Sequence, residues 1–411
     1  MYIVIDMKSF FASVECSLRG LNPTTTPLVV VDESRGSGAV VLAVSPYLKT
    51  LGIKNRCRLY EIPQDLLYIK AKPRMKCYID YAAKLHKIFL SYFNKEDIHL
   101  YSIDESFIYI SPYLKYYNNS PRELFKRIKS DIESELGVYC TCGCGDNMFL
   151  AKVSLDLMAK HNGGYYYLNK DKLVAMLWKH TPITDFWQIG SGTASHLARL
   201  GIYTLEGIAM SDRNLLKKEF GIIGDELYMH AWGEEECMIS DIKEYKPESK
   251  SISRSQILFK DYTKDDAIIP LLEMTYIIAI TMCKDNVDAK SLSFYVGYSK
   301  DYDGGYIKNI SFDYRCRDYF KIAKLIKKYY FSGVKDLPIR RLMVSLNDIS
   351  EVGFRQMNLF EVENERVISL STTIANIWNE YGKNSILLAS SLDEASTIRV
   401  RNKCIGGHNG E

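Results

Sequence analysis

The sequence predicts an α+β chain of several domains, and three observations carry that prediction. Residues 1–19 and 75–165 together read strand, helix, hairpin, helix, strand. Residues 251–350 read strand, helix, two strands, helix, strand. Between them, residues 166–233 form a run of short helices broken by glycine, the pattern of a small all-α domain. The two outer patterns are the split βαβ, or ferredoxin-like, arrangement.

The elements follow in order. "YIVID" is an apolar strand, and a helix runs through "FFASVECSLRG" to the turn "NPTTTP". The stretch from about residue 20 to 74 is an insertion in which "PLVVVD" and "AVVLAVS" bracket the loop "ESRGSG". A long amphipathic helix is expected near 74–93, because Tyr78, Ala82, Leu85, Phe89 and Tyr92 recur at steps of three and four. "IHLYSI" and "SFIYI" are short strands joined at two acids. "SPRELFKRIKSDIESELG" shows a helix from end to end: Ser120 as cap, Pro121 in the first turn, Glu123 completing a capping box and Gly137 as the stop. The strand "VYCTCGCG" and the helix "DNMFLAKVSLDLMAK" follow, and residues 234–250, polar and without periodicity, read as a linker.

Composition narrows the function classes. Apolar residues make up 47% and charged residues 25% of 411, so a folded chain with several cores is expected. The net charge of +3 hides local basic runs at "LIKKYYFSGVKDLPIRR" and "IRVRNK". "MYIVIDMKSFF" lacks the layout of a secretory signal, and no stretch is expected to reach the roughly 20 apolar residues of a membrane helix. The ten cysteines show no zinc-type CxxC pairing, which points to a reduced, cytoplasmic protein. Cys140, Cys142 and Cys144 alternate on one strand face and read as small residues under a helix.

The acids at the joint of "YSIDESF" need a reason, because in a regular strand one of Asp104 and Glu105 would face the core uncompensated. A bend there would let both swing toward Asp6, which ends the neighbouring strand. Three carboxylates so placed raise one another's pKa, and two Mg²⁺ ions about 3.5–4 Å apart would relieve the repulsion. An isolated capping Asp and an exposed turn would be the plainer alternative.

The motifs "IDMKSFFASVE", "SIDESF", "FLAKVSLDLMAKHNG" and "IGSGTASHLARLGI" occur in that order. Together they resemble the Y-family, or lesion-bypass, DNA polymerases of the UmuC-like branch, over nearly the whole chain. The resemblance implies a right-hand polymerase with a ferredoxin-like palm at 1–19 and 75–165 and small fingers at 20–74. It further implies a helix-hairpin-helix thumb at 166–233, a ferredoxin-like little finger at 251–350 and a C-terminal tail at 351–411. The implied activity is template-directed addition of deoxynucleotides opposite damaged template, at low fidelity, within an SOS response.

The same resemblance assigns residues. Asp6, Asp104 and Glu105, with the Met7 carbonyl, match the ligands of two Mg²⁺ ions, with Mn²⁺ able to substitute. Phe11 matches the steric gate that rejects a 2′-hydroxyl, and Phe10 is either a nucleotide contact or core. Lys160 matches a triphosphate ligand. In "SPYLKTLGI" the usual Tyr and Arg are replaced by Pro46 and Lys49, so Ser45, Tyr47 and Lys49 become the nucleotide-binding candidates, and Lys lacks the bidentate fork of Arg. Ala39 and Val41 are expected to face a loose templating pocket.

Gly190 and Gly192 would admit a DNA phosphate to the hairpin backbone, and Arg254, Arg315, Arg317, Arg340 and Arg341 are candidates for further backbone contacts. "QMNLF" resembles a sliding-clamp peptide, with Gln356 as polar contact and Leu359 and Phe360 as anchors. Primer-template DNA, deoxynucleoside triphosphates, the clamp and a UmuD-like or recombinase accessory protein are the implied partners; no membrane is. A non-catalytic DNA-binding scaffold on the same fold is the alternative, and a palm-type cyclase is a further rival.

Overall fold

The computed structural model describes residues 1–353 and 365–410. They form two compact units, Met1–Tyr245 and Lys246–Gly410.

In the first unit, β1 (Tyr2–Met7) leads into α1 (Phe10–Ser17). The insertion contributes β2 (Leu28–Val30), β3 (Ala43–Val44), α2 (Pro46–Thr50) and β4 (Ile69–Ala71), with its own sheet ordered β3-β2-β4. The chain then builds α3 (Met75–Tyr92), β5 (Ile98–Leu100), β6 (Glu105–Tyr109), α4 (Pro121–Leu136), β7 (Cys140–Gly145), α5 (Met148–Val153) and β8 (Tyr165–Leu168). The main sheet has the order β5-β6-β1-β7-β8, which puts β1 at its centre.

Central placement explains the unbroken apolar run of β1. Ile3, Ile5 and Met7 join a core with Tyr78, Phe89, Leu124 and Ile128 of α3 and α4. Tyr2 and Val4 face the other way, onto Met148, Ala151 and Leu155. A strand covered on both faces needs no polar alternation. Cys140, Cys142 and Cys144 lie in the first of these cores.

Ser120 caps α4 through the Glu123 amide at 3.3 Å, and Gly137 ends it at φ 63°. The reciprocal half of the box is missing, because the Glu123 carboxylate takes Lys126 Nζ at 2.7 Å instead. Gly143 and Gly145 explain how α5 reaches the sheet: a Cβ on either would collide with the backbone of Ala151, or of Leu155 and Leu150. After α5 the chain widens into a π-helical turn, Ser154–Ala159.

The all-α segment contains α6 (Lys170–Leu177), α7 (Ser191–Arg199), α8 (Leu205–Ala209), α9 (Arg213–Phe220) and α10 (Ile222–Ala231) around Leu173, Leu197, Leu205, Ile208 and Leu216. The stretch read as a linker contains α11 (Ile239–Glu244), whose Ile239 is buried against Tyr2 and Val4.

The second unit runs β9 (Ser251–Tyr262), α12 (Lys264–Lys284), β10 (Val287–Tyr298), β11 (Gly305–Cys316), α13 (Tyr319–Gly333) and β12 (Ile339–Asn347). Its antiparallel sheet has the order β11-β10-β12-β9, so the first strand is an edge paired with the last. The tail adds α14 (Glu365–Tyr381) and α15 (Ile398–Arg401).

The expectation that nothing would match a membrane helix in length and apolarity is corrected by α12, 21 residues with a mean hydropathy of 1.6 in its most apolar window. Burial accounts for this composition. One side of α12 packs on the sheet through Leu271, Met274 and Ile278, and the other meets Ile374, Ala375 and Trp378 of α14 through Tyr276, Ile277 and Ile280.

Candidate active site

The acids of "SIDES" stand where the hairpin turns into β6. The amides of Tyr101 and Ser102 both donate to the Glu105 carbonyl, at 3.0 and 3.1 Å, and close the turn. Glu105 lies opposite Asp6 in the β1–β6 register, and the Met7 amide donates to the Asp104 carbonyl at 3.0 Å. Backbone pairing thus brings the three acidic residues to one end of β1.

Two lysines compensate the buried charge. Lys152 Nζ lies 2.6 Å from Glu105 Oε1 and donates to Oε2 at 2.8 Å. Lys160 Nζ lies 3.1 Å from Asp6 Oδ2. Asp156 joins them, 3.0 Å from Lys152 and 2.9 Å from Lys160. Lys152, Asp156 and Lys160 recur every four residues, and the π-helical turn carries this row across the site. Asp104 accepts from the Ser102 hydroxyl at 2.8 Å and has no ion pair among the described residues.

Burial pushes the Glu105 carboxyl up, with Lys152 opposing, and pushes Asp6 up, with Lys160 opposing and Asp104 reinforcing. Burial alone would lower Lys160, but Asp6 and Asp156 outweigh it and raise it well above the ordinary value. The two partners' directions are compatible because Lys160 answers two carboxylates, whereas Asp6 also bears burial and Asp104. Asp6 and Glu105 therefore bind protons more tightly folded than unfolded. The stability they contribute is fully present below the ordinary carboxyl range and is lost as pH rises through their raised values.

The donor set fits a hard divalent cation. It offers three carboxylates at one end of β1, the oxygen ligands such an ion takes. Among the described residues no three side chains already form a metal cage, since Asp6 and Glu105 are turned onto lysines and Asp104 onto Ser102.

Around this centre, Phe11 is partly exposed and stacks on Tyr78, with ring centroids 4.5 Å apart. The Tyr78 hydroxyl donates to buried Glu15 at 2.8 Å, and Glu15 also takes Arg74 (2.7 Å) and Arg19. Phe10 is core, 3% exposed, so the ring open to a ligand is that of Phe11. Burial lowers the Lys49 ammonium and Lys160 adds to this, while Asp6 and Asp104 act to raise it, so Lys49 shares the influence of Asp6 with Lys160.

Ser45 corrects the expectation of a nucleotide contact: its buried hydroxyl accepts from the Leu48 and Leu28 amides and so caps α2. Tyr47 packs against the insertion core. Ala39 and Val41 also lie in that core, Val40 is exposed, and Leu42 packs half-buried against the core around β1.

Gly190 caps α7 without a side chain, and a Cβ on Gly190 or Gly192 would meet nothing within 4 Å. That leaves the hairpin amides approachable. In the second unit the arginines divide. Arg315 is held by Asp288 and the carbonyls of Asp288 and Asp348, Arg317 is buried and donates to Asn286 at 2.9 Å, and Arg340 lies 3.5 Å from Asp261. Arg341 is exposed with no ion pair among the described residues. Arg254 lies on the face of β9 that also carries buried Leu258. Gln356, Leu359 and Phe360 lie outside the described residues.

The sequence reading missed Lys152, Asp156, Glu15, Arg74 and Tyr78. A signal existed for the first two, the four-residue spacing that ends in Lys160.

Comparison with known proteins shows the family. Residues 5–156 match the model of the impB/mucB/samB family and residues 249–359 that of the impB/mucB/samB family C-terminal domain. The chain is 36% identical to the candidate UV-damage repair protein UvrX of Bacillus subtilis (strain 168), over 99% of this chain and 97% of the relative. It is 31% identical to DNA polymerase IV 2 of the same organism, over 98% of both. A solved Y-family DNA polymerase chimera of Dbh and Dpo4 superposes with a TM-score of 0.66 at 22% identity, covering 85% of this chain and 99% of the other, a likeness of fold.

Proposed function

The chain belongs to the impB/mucB/samB family, and from that premise we propose that it is a template-directed DNA polymerase that extends primers across damaged template. The observation that carries the reading is the convergence of Asp6, Asp104 and Glu105 at the end of β1, with lysines facing them.

Asp6, Asp104, Glu105 and the Met7 carbonyl would hold two Mg²⁺ ions, which when bound supply the positive charge for deprotonating a primer 3′-hydroxyl and for in-line displacement of pyrophosphate. The residues of the chain do the rest. Lys160 and Lys49 offer point charges to a triphosphate beside these carboxylates, and Lys160 would exchange Asp6 for phosphate oxygen as the nucleotide enters. Lys152 opposes the burial that pushes Glu105 up and so favours its ionised form, the form able to act as a ligand.

Phe11 would pack under the sugar. Its backing by Tyr78 leaves the ring little freedom to retreat from a 2′-hydroxyl. Phe11→Ala is expected to raise incorporation of ribonucleotides relative to deoxyribonucleotides by about tenfold to a hundredfold, measured as the ratio of kcat/KM values. An unchanged ratio would remove Phe11 from this role.

The amides beside Gly190 and Gly192, together with Arg341, suit backbone phosphates without base readout. The peptide around Leu359 and Phe360 would dock on a sliding clamp. Changing both to Ala should eliminate clamp-stimulated synthesis and spare synthesis without clamp; equal stimulation of parent and variant would end the docking assignment.

A further inference from the structure

Strand β9 turns Arg254 and Gln256 to the same side as Leu258, because residues two apart share a face. The tail meets that side. The Thr397 hydroxyl donates to Gln256 Oε1 at 2.9 Å, and Glu273 of α12 accepts from the Ser396 hydroxyl and from the Thr397 and Ile398 amides, both at 3.1 Å. Arg401 follows one turn beyond Thr397, its amide donating to the Thr397 carbonyl at 3.0 Å. Asn402 Nδ2 donates to the Lys383 carbonyl at 3.2 Å and brings that lysine alongside.

The outcome is a set of donors without acceptors. Arg254 Nε, Gln256 Nε2 and Arg401 Nη1 are all buried and make no hydrogen bond among the described residues. Neither guanidinium has an ion pair there, and Glu273, the acid beside Arg401, already serves three donors. Burial and the neighbouring Arg254 hold Arg401 down to about 10, and burial alone lowers Arg254. Cations drawn together without a counter-charge cost stability until an anion joins them.

We propose that Arg254, Gln256 and Arg401, with Lys383 at the rim, form a phosphate-binding site that the C-terminal tail completes. The three inner groups present donors only, and two guanidinium forks with an amide suit a tetrahedral oxyanion. A nucleic-acid phosphodiester and free phosphate share this chemistry.

The test uses the full chain as parent, Arg254→Gln, Arg401→Gln and Lys383→Met, the last at an exposed position where folding is not at stake. Thermal unfolding is compared in sodium phosphate and in sodium chloride of equal ionic strength, and primer-template binding is titrated against salt. Phosphate should raise the parent's unfolding temperature above its value in chloride, and each variant should lose that gain in part or whole. If the ligand is the nucleic-acid backbone, the variants will also bind DNA more weakly, with the salt slope reduced by about one. If it is free phosphate, DNA affinity will equal the parent's while the phosphate gain is still lost. The proposal is overturned if the variants keep the parent's gain in phosphate, as the general effect of an excluded salt would have it, and bind DNA as the parent does. Neither readout requires synthesis, so the outcome is separate from the fate of the polymerase reading.

Discussion

Asp104→Ala is expected to lower primer extension by about a thousandfold or more while leaving affinity for primer-template DNA unchanged. The magnitude follows from removing one ligand of a divalent ion that contributes several kcal/mol of charge stabilisation in the transition state, at about 1.4 kcal/mol per tenfold. Asp104 is the informative choice among the three acids. It is only partly buried, has no ion pair among the described residues and leans on Ser102 alone, so its loss perturbs the fold least. Steady-state extension with Mg²⁺ checks the first half and equilibrium DNA binding the second. Extension at the parent's rate would sink the metal assignment and move the non-catalytic scaffold into first place.

Lys152→Met is expected to cost about 3 kcal/mol or more of stability, read as a lower urea midpoint at unchanged slope. The Lys152 side chain is 8% exposed and that of its partner Glu105 9%, so removing the ammonium strands a carboxylate where burial already pushes its pKa up. Asp156 loses one partner as well but keeps Lys160. The double variant Lys152→Met with Glu105→Gln should recover most of the loss, since it removes both charges from the buried site. A single variant as stable as the parent would show that Glu105 carries no buried charge at neutral pH.

Asp104 and Glu105 were legible because they contradict their surroundings. Two adjacent acids amid strand-forming apolar residues demand a partner, and Asp6 ends a neighbouring strand. What remained hidden depends on how distant segments meet. Lys152 reaches Glu105 because α5 returns across the sheet, and that return rests on Gly143 and Gly145, whose role appears only when the helix backbone lies against them. Ser45 and Ala39 were misread for a related reason: proximity to a motif says nothing of which face a residue presents, and the insertion folds a core of its own around Val29, Val41 and Leu48. The element order of the second unit was visible in periodicity, but the placing of β9 at the edge beside β12 was not, because periodicity carries no information on strand neighbours. The apolar length of α12 went unnoticed since Glu273 interrupts it, and the donors that Glu273 serves lie over a hundred residues away.

Glu15 has a consequence for the insertion as a whole. Arg19 stands where the chain departs from the sheet-and-helix layer and Arg74 where it comes back, and both guanidiniums grip this one carboxylate. The excursion is thereby cinched at its neck, so the entropy of closing so long a loop is met locally and rises only slowly with added length. Growth, trimming or reshaping of the excursion can proceed beyond that knot while strand β1 beneath it stays undisturbed.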